Sequence, residues 1–432
     1  VCVVPSDHKV DAEDPAHVAV DLTRLRRRIT PRDEWRQMFD ENGRLMATHY
    51  WRDDMNGVDW EAVLRRYRPL VDRIHSVDDL YDILWETVGE LNTSHSYVSP
   101  AGLDGDPSLR AGLLGADYGV PTDDGVPIVR VVPGESSDPL AWSPLRAAGV
   151  AVRDGDVIVA VDGNKLGNDL SLGEALEGSA GHTVELTVRT GDQARRVAVV
   201  PVADEAPLRY HDWVASRHRY VEERSGGRLG YLHVPDMVSN GWAELHRQIV
   251  EATRHEGVVA DVRFNHGGHT SQLVVERLSR QVLGWDFGKW YDTPATYPQN
   301  AVRGPIVMVT NQWAGSDGDI VSAVTQVMGY APIVGERSWG GVVGIDGRFD
   351  LVDGTEVTQP RYAGWYGDYG WGVENHGVDP DITVTVRPED WESDRDVQLD
   401  AAIDYCIAQL GERPAATPPA MPPAAFGGPV EE

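Results

Sequence analysis

The stretch Pro305-Ile306-Val307-Met308-Val309-Thr310-Asn311-Gln312-Trp313-Ala314-Gly315-Ser316-Asp317-Gly318-Asp319 decides how this chain is read. Residues 305 to 310 are an apolar, β-branched run of strand length, and the segment from Ile320 to Met328 has helical character, so Ser316 stands at a strand-to-helix corner. Small residues before it let the chain turn sharply. The N–H groups that open a helix have no internal partner, so an oxyanion developing beside the hydroxyl would find donors there. Against this nucleophile reading stands a plainer one, an N-cap serine followed by two acids that favour a helix start. The choice turns on whether a histidine base, a carboxylate behind it and a second oxyanion donor exist elsewhere.

Outward from that corner, strands and helices alternate from Arg228 onward. Leu229 to Val234 reads as a strand, Asn240 to Thr253 as a helix, and Val258 to Phe264 as a buried strand running into Asn265-His266-Gly267-Gly268-His269-Thr270 and another helix. The alternation predicts an α/β layer with a partly parallel sheet, its two glycine-bearing loops opening at one edge, where α/β sites form. Residues 340 to 377 are rich in glycine and aromatics and contain Glu374-Asn375-His376-Gly377.

Before this domain, residues 104–205 are β-rich. Runs at 113–118, 128–132, 157–161 and 184–188 read as strands, and Ser143 to Val150 followed by Arg153-Asp154-Gly155-Asp156-Val157-Ile158 resembles the PDZ family. That resemblance implies a groove that takes a peptide as an added strand, with Leu113 to Ala116 as the matching loop, in a form departing from the commonest one. Residues 31–103 read as helical: Trp35, Met38, Phe39, Leu45 and Met46, then Trp60, Val63, Leu64, Tyr67 and Val71, then Leu80, Ile83, Leu84 and Val88 recur at three- and four-residue intervals, a core stripe rather than a cofactor box. Ser94 and His95 follow. On a straight strand they would point to opposite faces, so a joint role requires a bend. Residues 1–30 read as an irregular lead-in and 413–432 as a disordered Pro/Ala-rich tail.

Composition narrows the function classes. At 432 residues and 41% hydrophobic the chain has material for several domains. Thirty-nine Lys and Arg against 68 Asp and Glu leave a net charge of −29, which repels nucleic acid and anionic lipid. Two cysteines, Cys2 and Cys406, exclude a disulfide framework and fit a reducing cytoplasm. Val1-Cys2-Val3-Val4 does not read as a signal peptide, and no uncharged apolar stretch approaches membrane-spanning length. An opening valine is compatible with a piece of a longer protein.

A serine nucleophile needs a base. The only lysines are Lys9, Lys165 and Lys289, and none follows Ser316, which excludes a Ser–Lys dyad with its lysine downstream, as in the C-terminal processing peptidases that share the PDZ-plus-α/β plan. Histidine is left. His95 has Ser94 beside it, though a lone histidine there is commonly structural. His266 and His269 form a His-x-x-His pair, but no third ligand stands at a recognisable spacing, so neither metal nor cofactor is expected.

Together, Leu91-Asn92-Thr93-Ser94-His95-Ser96-Tyr97, Asp261-Val262-Arg263-Phe264-Asn265, Ala314-Gly315-Ser316-Asp317-Gly318-Asp319 and Glu374-Asn375-His376-Gly377 resemble the tricorn protease family, in particular its carboxy-terminal half, over roughly Pro31 to Gly411. The resemblance implies a multidomain α+β fold: an N-terminal helical segment (31–103) carrying the histidine base, a PDZ-like β domain (104–205) and a C-terminal α/β catalytic domain of ClpP/crotonase type (206–412). It implies a catalytic tetrad of Ser316 as nucleophile, His95 as general base and acid, Ser94 orienting the imidazole and Glu374 behind Ser94. The oxyanion donors fall on the backbone N–H groups of Gly268 and Asp317, and the acid that favours basic P1 side chains falls on Asp286. Oligopeptide substrates, a homo-oligomer (a hexamer in the family), downstream aminopeptidases and a cytoplasmic location are implied as well. Two departures stand out: the family's large amino-terminal β-propellers are absent from these residues, and His266 replaces a glycine of the oxyanion loop. The expected function is a serine peptidase acting on oligopeptides through an acyl-enzyme. The alternative is a PDZ peptide-binding scaffold with a degenerate peptidase domain.

Overall fold

A computed structural model describes residues 2–7, 9–11, 13–26, 28–102, 105–393 and 395–421. The chain forms two compact units. The first comprises Val1–Asn92, Ser96–Ala101 and Asp346–Gln359. Its helices are Pro31–His49, Trp60–Val71 and Val77–Gly89. The third starts on a capping box: the Ser76 hydroxyl accepts from the Asp79 amide while the Asp79 carboxylate accepts from the Ser76 amide. Met38, Phe39, Leu45, Leu80 and Leu84 form the core, as the periodicity predicts. Val98, Leu351 and Val357 join it, because Val98–Ser99 pairs antiparallel with Glu356–Val357. The unit is thus discontinuous, whereas the sequence predicts one uninterrupted helical stretch. In the lead-in, Cys2–Val3 pairs with Val18–Ala19.

The second unit comprises Thr93–His95, Gly102–Ile345 and Pro360–Glu432. Its PDZ-like part is a six-stranded antiparallel sheet whose main strands are Ala116–Tyr118, Val126–Val131, Val157–Val161, Val184–Thr190 and Gln193–Val199. Leu114, Ile128, Leu145, Ile158 and Leu186 fill its core. Arg130 clasps Asp212 of the following helix, Ala206–Ser225, through two hydrogen bonds of 2.9 and 2.6 Å, which ties the two parts of the unit together.

The remainder is built on a five-stranded parallel sheet, ordered Leu229–His233, Gly257–Asp261, Ile306–Thr310, Ile333–Gly335 and Ile382–Thr383. The first three strands are buried at every position, which is why they read as unbroken apolar runs rather than alternating ones. Successive side chains still go to opposite faces. Leu232, Val258, Ala260, Ile306, Met308 and Ile333 pack against the helices Ser239–Ala252, Ser271–Leu278 and Asp317–Met328. Leu229, Tyr231, Val259, Val307, Val309 and Val334 pack against Ala206–Ser225 and Val397–Glu412, helices absent from the sequence reading. Because the strands are parallel, the loops after Asp261 and Thr310 leave from one edge. Among the described residues no helix is long and apolar enough to cross a membrane. The stretch expected to be disordered from 413 is docked at first, since the Ala416 amide donates to the Arg303 carbonyl at 2.8 Å. Its end, 422–432, lies outside the described residues.

Candidate active site

Ser316 occupies the N-cap position of the Asp317–Met328 helix, but it does not act as a cap: its side chain makes no capping hydrogen bond, and its backbone sits at φ 56°, ψ −120°. That conformation is strained for any residue with a Cβ and recurs where a nucleophile is thrust out at a strand-to-helix turn. The surroundings hold the turn in place. The Gly315 amide donates to the Asn265 carbonyl at 3.0 Å, and a Cβ on Gly318 would sit 3.2 Å from three atoms of Asn265. Asn265, fully buried, also accepts from the Gly267 amide through its Oδ1 at 2.9 Å and donates from Nδ2 to the Val234 carbonyl at 2.8 Å. A Cβ on Gly267 would lie 3.0 Å from the Ser316 hydroxyl oxygen and only 2.5 Å from its Cβ, so this glycine is required by close approach.

Gly268 forms a parallel bridge with Met237 in which the Met237 amide donates to the Gly267 carbonyl (2.7 Å) and the His269 amide to the Met237 carbonyl (2.6 Å). That pattern turns the Gly268 N–H away from the bridge. The Asp317 N–H belongs to the first helical turn, where amides have no intrahelical partner. The Asp317 carboxylate accepts from the Ser271 amide at 3.0 Å, coupling the starts of two helices, while burial raises its pKa.

His95 lies in the bend that a joint role with Ser94 requires, at φ 60°. Its Nδ1 is 2.9 Å from the Ser94 hydroxyl, and that hydroxyl donates to Glu374 Oε2 at 3.0 Å. Glu374 is fixed in turn by the Ser94 amide on Oε1 (2.7 Å) and by the Val342 and Val343 amides on Oε2 (2.7 and 3.0 Å). Hydrogen-bond logic assigns the tautomer. The single Ser94 hydroxyl proton goes to the carboxylate, so its oxygen accepts from Nδ1–H, which leaves the lone pair of the neutral imidazole on Nε2. Burial pushes the His95 pKa below its ordinary 6.5, with the Glu374 charge pulling the other way, so the ring is neutral at pH 7. The Trp339 ring packs edge-on to His95 at 5.3 Å and also covers Gly315, where a Cβ would come within 2.6 Å of it. One indole thus touches both His95 and the residue before Ser316.

Asp319, two residues into the helix, was read from sequence only as a helix-start acid. It is fully buried and accepts from the Ser338 hydroxyl, from the Gly340 amide at 2.8 Å and from the Gly341 amide at 3.1 Å. Burial pushes its pKa up to about 6 against these donors. No sequence signal points to its contacts with Ser338, Gly340 and Gly341, which lie about a score of residues away in a loop without secondary structure. Asp286 is elsewhere: it is exposed, on the two-stranded arm of Gly284–Asp286 and Ala295–Tyr297, and among the described residues no hydrogen bond or ion pair joins it to the serine cluster. The exposed His266 and His269 contribute backbone amides, to the Pro235 and Met237 carbonyls, and among the described residues no three His, Cys, Asp or Glu side chains converge as a metal site would require.

Comparison with known proteins agrees with this architecture. Residues 31–89 match the tricorn protease C1 domain, 112–204 the tricorn protease PDZ domain and 228–384 peptidase family S41. Tricorn protease homolog 1 of Streptomyces coelicolor is 56% identical over 97% of this chain and 40% of its own length. The tricorn protease of Thermoplasma acidophilum is 38% identical over 88% of this chain and 35% of its own length. A crystal structure of the tricorn protease superposes with a TM-score of 0.82 at 36% identity, covering 89% of this chain and 37% of that one. The chain therefore spans well under half the length of these relatives. With C1, PDZ and S41 domains following one another in this order, it belongs to the tricorn protease family.

Proposed function

We infer that this chain is a serine peptidase that hydrolyses oligopeptides into short peptides. The observation that carries this reading is the relay Glu374–Ser94–His95, which ends in an imidazole lone pair beside the indole that also covers the Ser316 turn. In the proposed reaction Ser316 Oγ attacks the scissile carbonyl as its proton passes to His95 Nε2. The tetrahedral oxyanion is met by the Gly268 and Asp317 N–H groups. Its collapse breaks the C–N bond, and the imidazolium protonates the leaving amine. Water then enters, His95 takes its proton, and the acyl-enzyme is hydrolysed to a free carboxylate and Ser316. Ser94 and Glu374 hold the ring and stabilise its positive charge. Asp286 belongs to the same reading as the acid that pairs with Arg or Lys at P1. Family membership likewise supports a homo-oligomer, hand-over of products to aminopeptidases and a cytoplasmic site of action.

Incubating the purified chain with a mixture of oligopeptides, and following products by mass spectrometry, tests the reading. Internal cleavage that a peptidyl chloromethyl ketone abolishes is expected. Tight peptide binding by folded protein without any cleavage would favour the degenerate PDZ scaffold.

A further inference from the structure

The segment Ser338 to Val343 touches His95, Glu374 and the turn that leads into Ser316. At its start the Trp339 amide donates to the Ala314 carbonyl at 3.0 Å, and the Trp339 ring lies on Gly315 and His95. In its middle the Gly340 carbonyl accepts from the Asn375 amide at 2.7 Å, directly after Glu374. At its end the Val342 and Val343 amides hold the Glu374 carboxylate. The segment has no regular secondary structure up to Val343, and its conformation is set by what it binds. One side chain gathers its first half: Asp319 takes the Ser338 hydroxyl and the Gly340 and Gly341 amides, bracketing Trp339 on both sides.

We propose that Asp319 is a positioning residue for the peptidase reaction, acting through Trp339 to keep His95 enclosed and aligned with Ser316. A carboxylate suits the task because it only accepts, and the groups facing it, the Ser316 backbone N–H included, all donate. An amide in its place would direct its NH2 at one of those donors and leave a buried polar pair unmatched. Burying a charge at the foot of the nucleophile helix is costly in itself, and although the Ser316 backbone N–H also turns to this carboxylate, a helix-start contact alone does not call for the three further donors of the Ser338–Gly341 segment. The structure explains the arrangement as a strap: the Asp317–Met328 helix, which carries the serine, holds the segment that covers the base and fixes the acid. The charged group acting on His95 is Glu374, while the Trp339 side presents an apolar ring. Loosening the strap therefore admits water to His95 and removes the burial that depresses its pKa.

The inference rests on the peptidase reading for its kinetic arm but not for its spectroscopic one. Histidine-selective 13C labelling of the full chain allows the His95 imidazole, one of 14 histidines, to be assigned by its loss in His95→Gln and titrated by NMR. In wild type it should titrate below 6.5. In Asp319→Asn and in Trp339→Ala it should move up towards the ordinary value of about 6.5. Peptide turnover should show kcat reduced about 30-fold in Asp319→Asn with KM changed less than about threefold, and the acid limb of kcat/KM shifted upward by the same amount as the NMR titration. A folded Asp319→Asn protein whose His95 titrates as in wild type would overturn the proposal. Should Asp319→Asn not fold, Ser338→Ala removes one of the three donors and is held to the same outcome. If the wild type cleaves nothing, the peptidase reading fails while the titration still decides the strap.

Discussion

Two carboxylate networks lie in the same unit, and they are built on opposite plans. Behind the sheet, Arg263 lies between Asp261 and Asp396, with side-chain exposures of 6%, 0% and 7%. Its guanidinium makes hydrogen bonds of 2.7 to 3.0 Å to both carboxylates, Gln398 accepts another, and Tyr231 donates to Asp261. Arg217 adds a second cation beside Asp396. The polar groups in this cluster face one another, and no acceptor is directed towards a reacting atom. At the sheet edge, Glu374 is equally well provided with donors, but the relay beyond it leads through Ser94 to the His95 imidazole. The first plan suits stability; the second suits the proton-accepting role proposed for His95.

If that distinction holds, substitutions in the two networks should separate chemistry from stability. The largest effect is expected at the proposed nucleophile and base: Ser316→Ala and His95→Ala should each lower peptide turnover by about 10⁴-fold or more. Their melting temperatures should stay within about 2 °C of wild type, as calorimetry would report. In the closed network, Arg263→Met leaves two buried carboxylates without their partner and should destabilise the chain by about 3–5 kcal/mol in urea titrations. Turnover per folded molecule should there remain within about threefold of wild type. A larger loss would show that the network also tunes the oxyanion loop that follows Arg263.

Specificity comes next. Asp286→Asn should reduce kcat/KM for Arg and Lys at P1 by about 2 kcal/mol, roughly thirtyfold, and spare Leu substrates. Equal loss for both would assign Asp286 a structural role on its arm. The smallest effects are expected within the relay: Ser94→Ala and Glu374→Gln keep the base but loosen it, so kcat should fall about tenfold with little change in KM.

How much of this was legible beforehand follows from where each interaction lies along the chain. Val307 and Val309 belong to a strand buried on both faces, so their run was plain in the sequence. The bend at His95 was foreseen as a requirement, because adjacent residues on a strand cannot face one site. The Val397–Glu412 helix leaves a weak signal although Leu399, Ala402, Ile403, Cys406 and Leu410 keep helical spacing, since its small and acidic residues dilute the apolar stripe. Residues 346–359 join the helical unit by pairing across some 250 positions, which no local pattern reports. The Asp319 strap was invisible for the same reason: its meaning lies in three donors that only the fold brings together.

If neutral His95 activates Ser316, the pH dependence of fluorophosphonate labelling at Ser316 should report it. Imidazolium cannot take the serine proton, and burial places the His95 pKa below 6.5. The rate should therefore rise with pH to a plateau, with its midpoint below 6.5, and labelling should be lost in His95→Ala. Labelling that proceeds at one rate across this range, or that survives in folded His95→Ala, would rule out His95 as the group that activates Ser316.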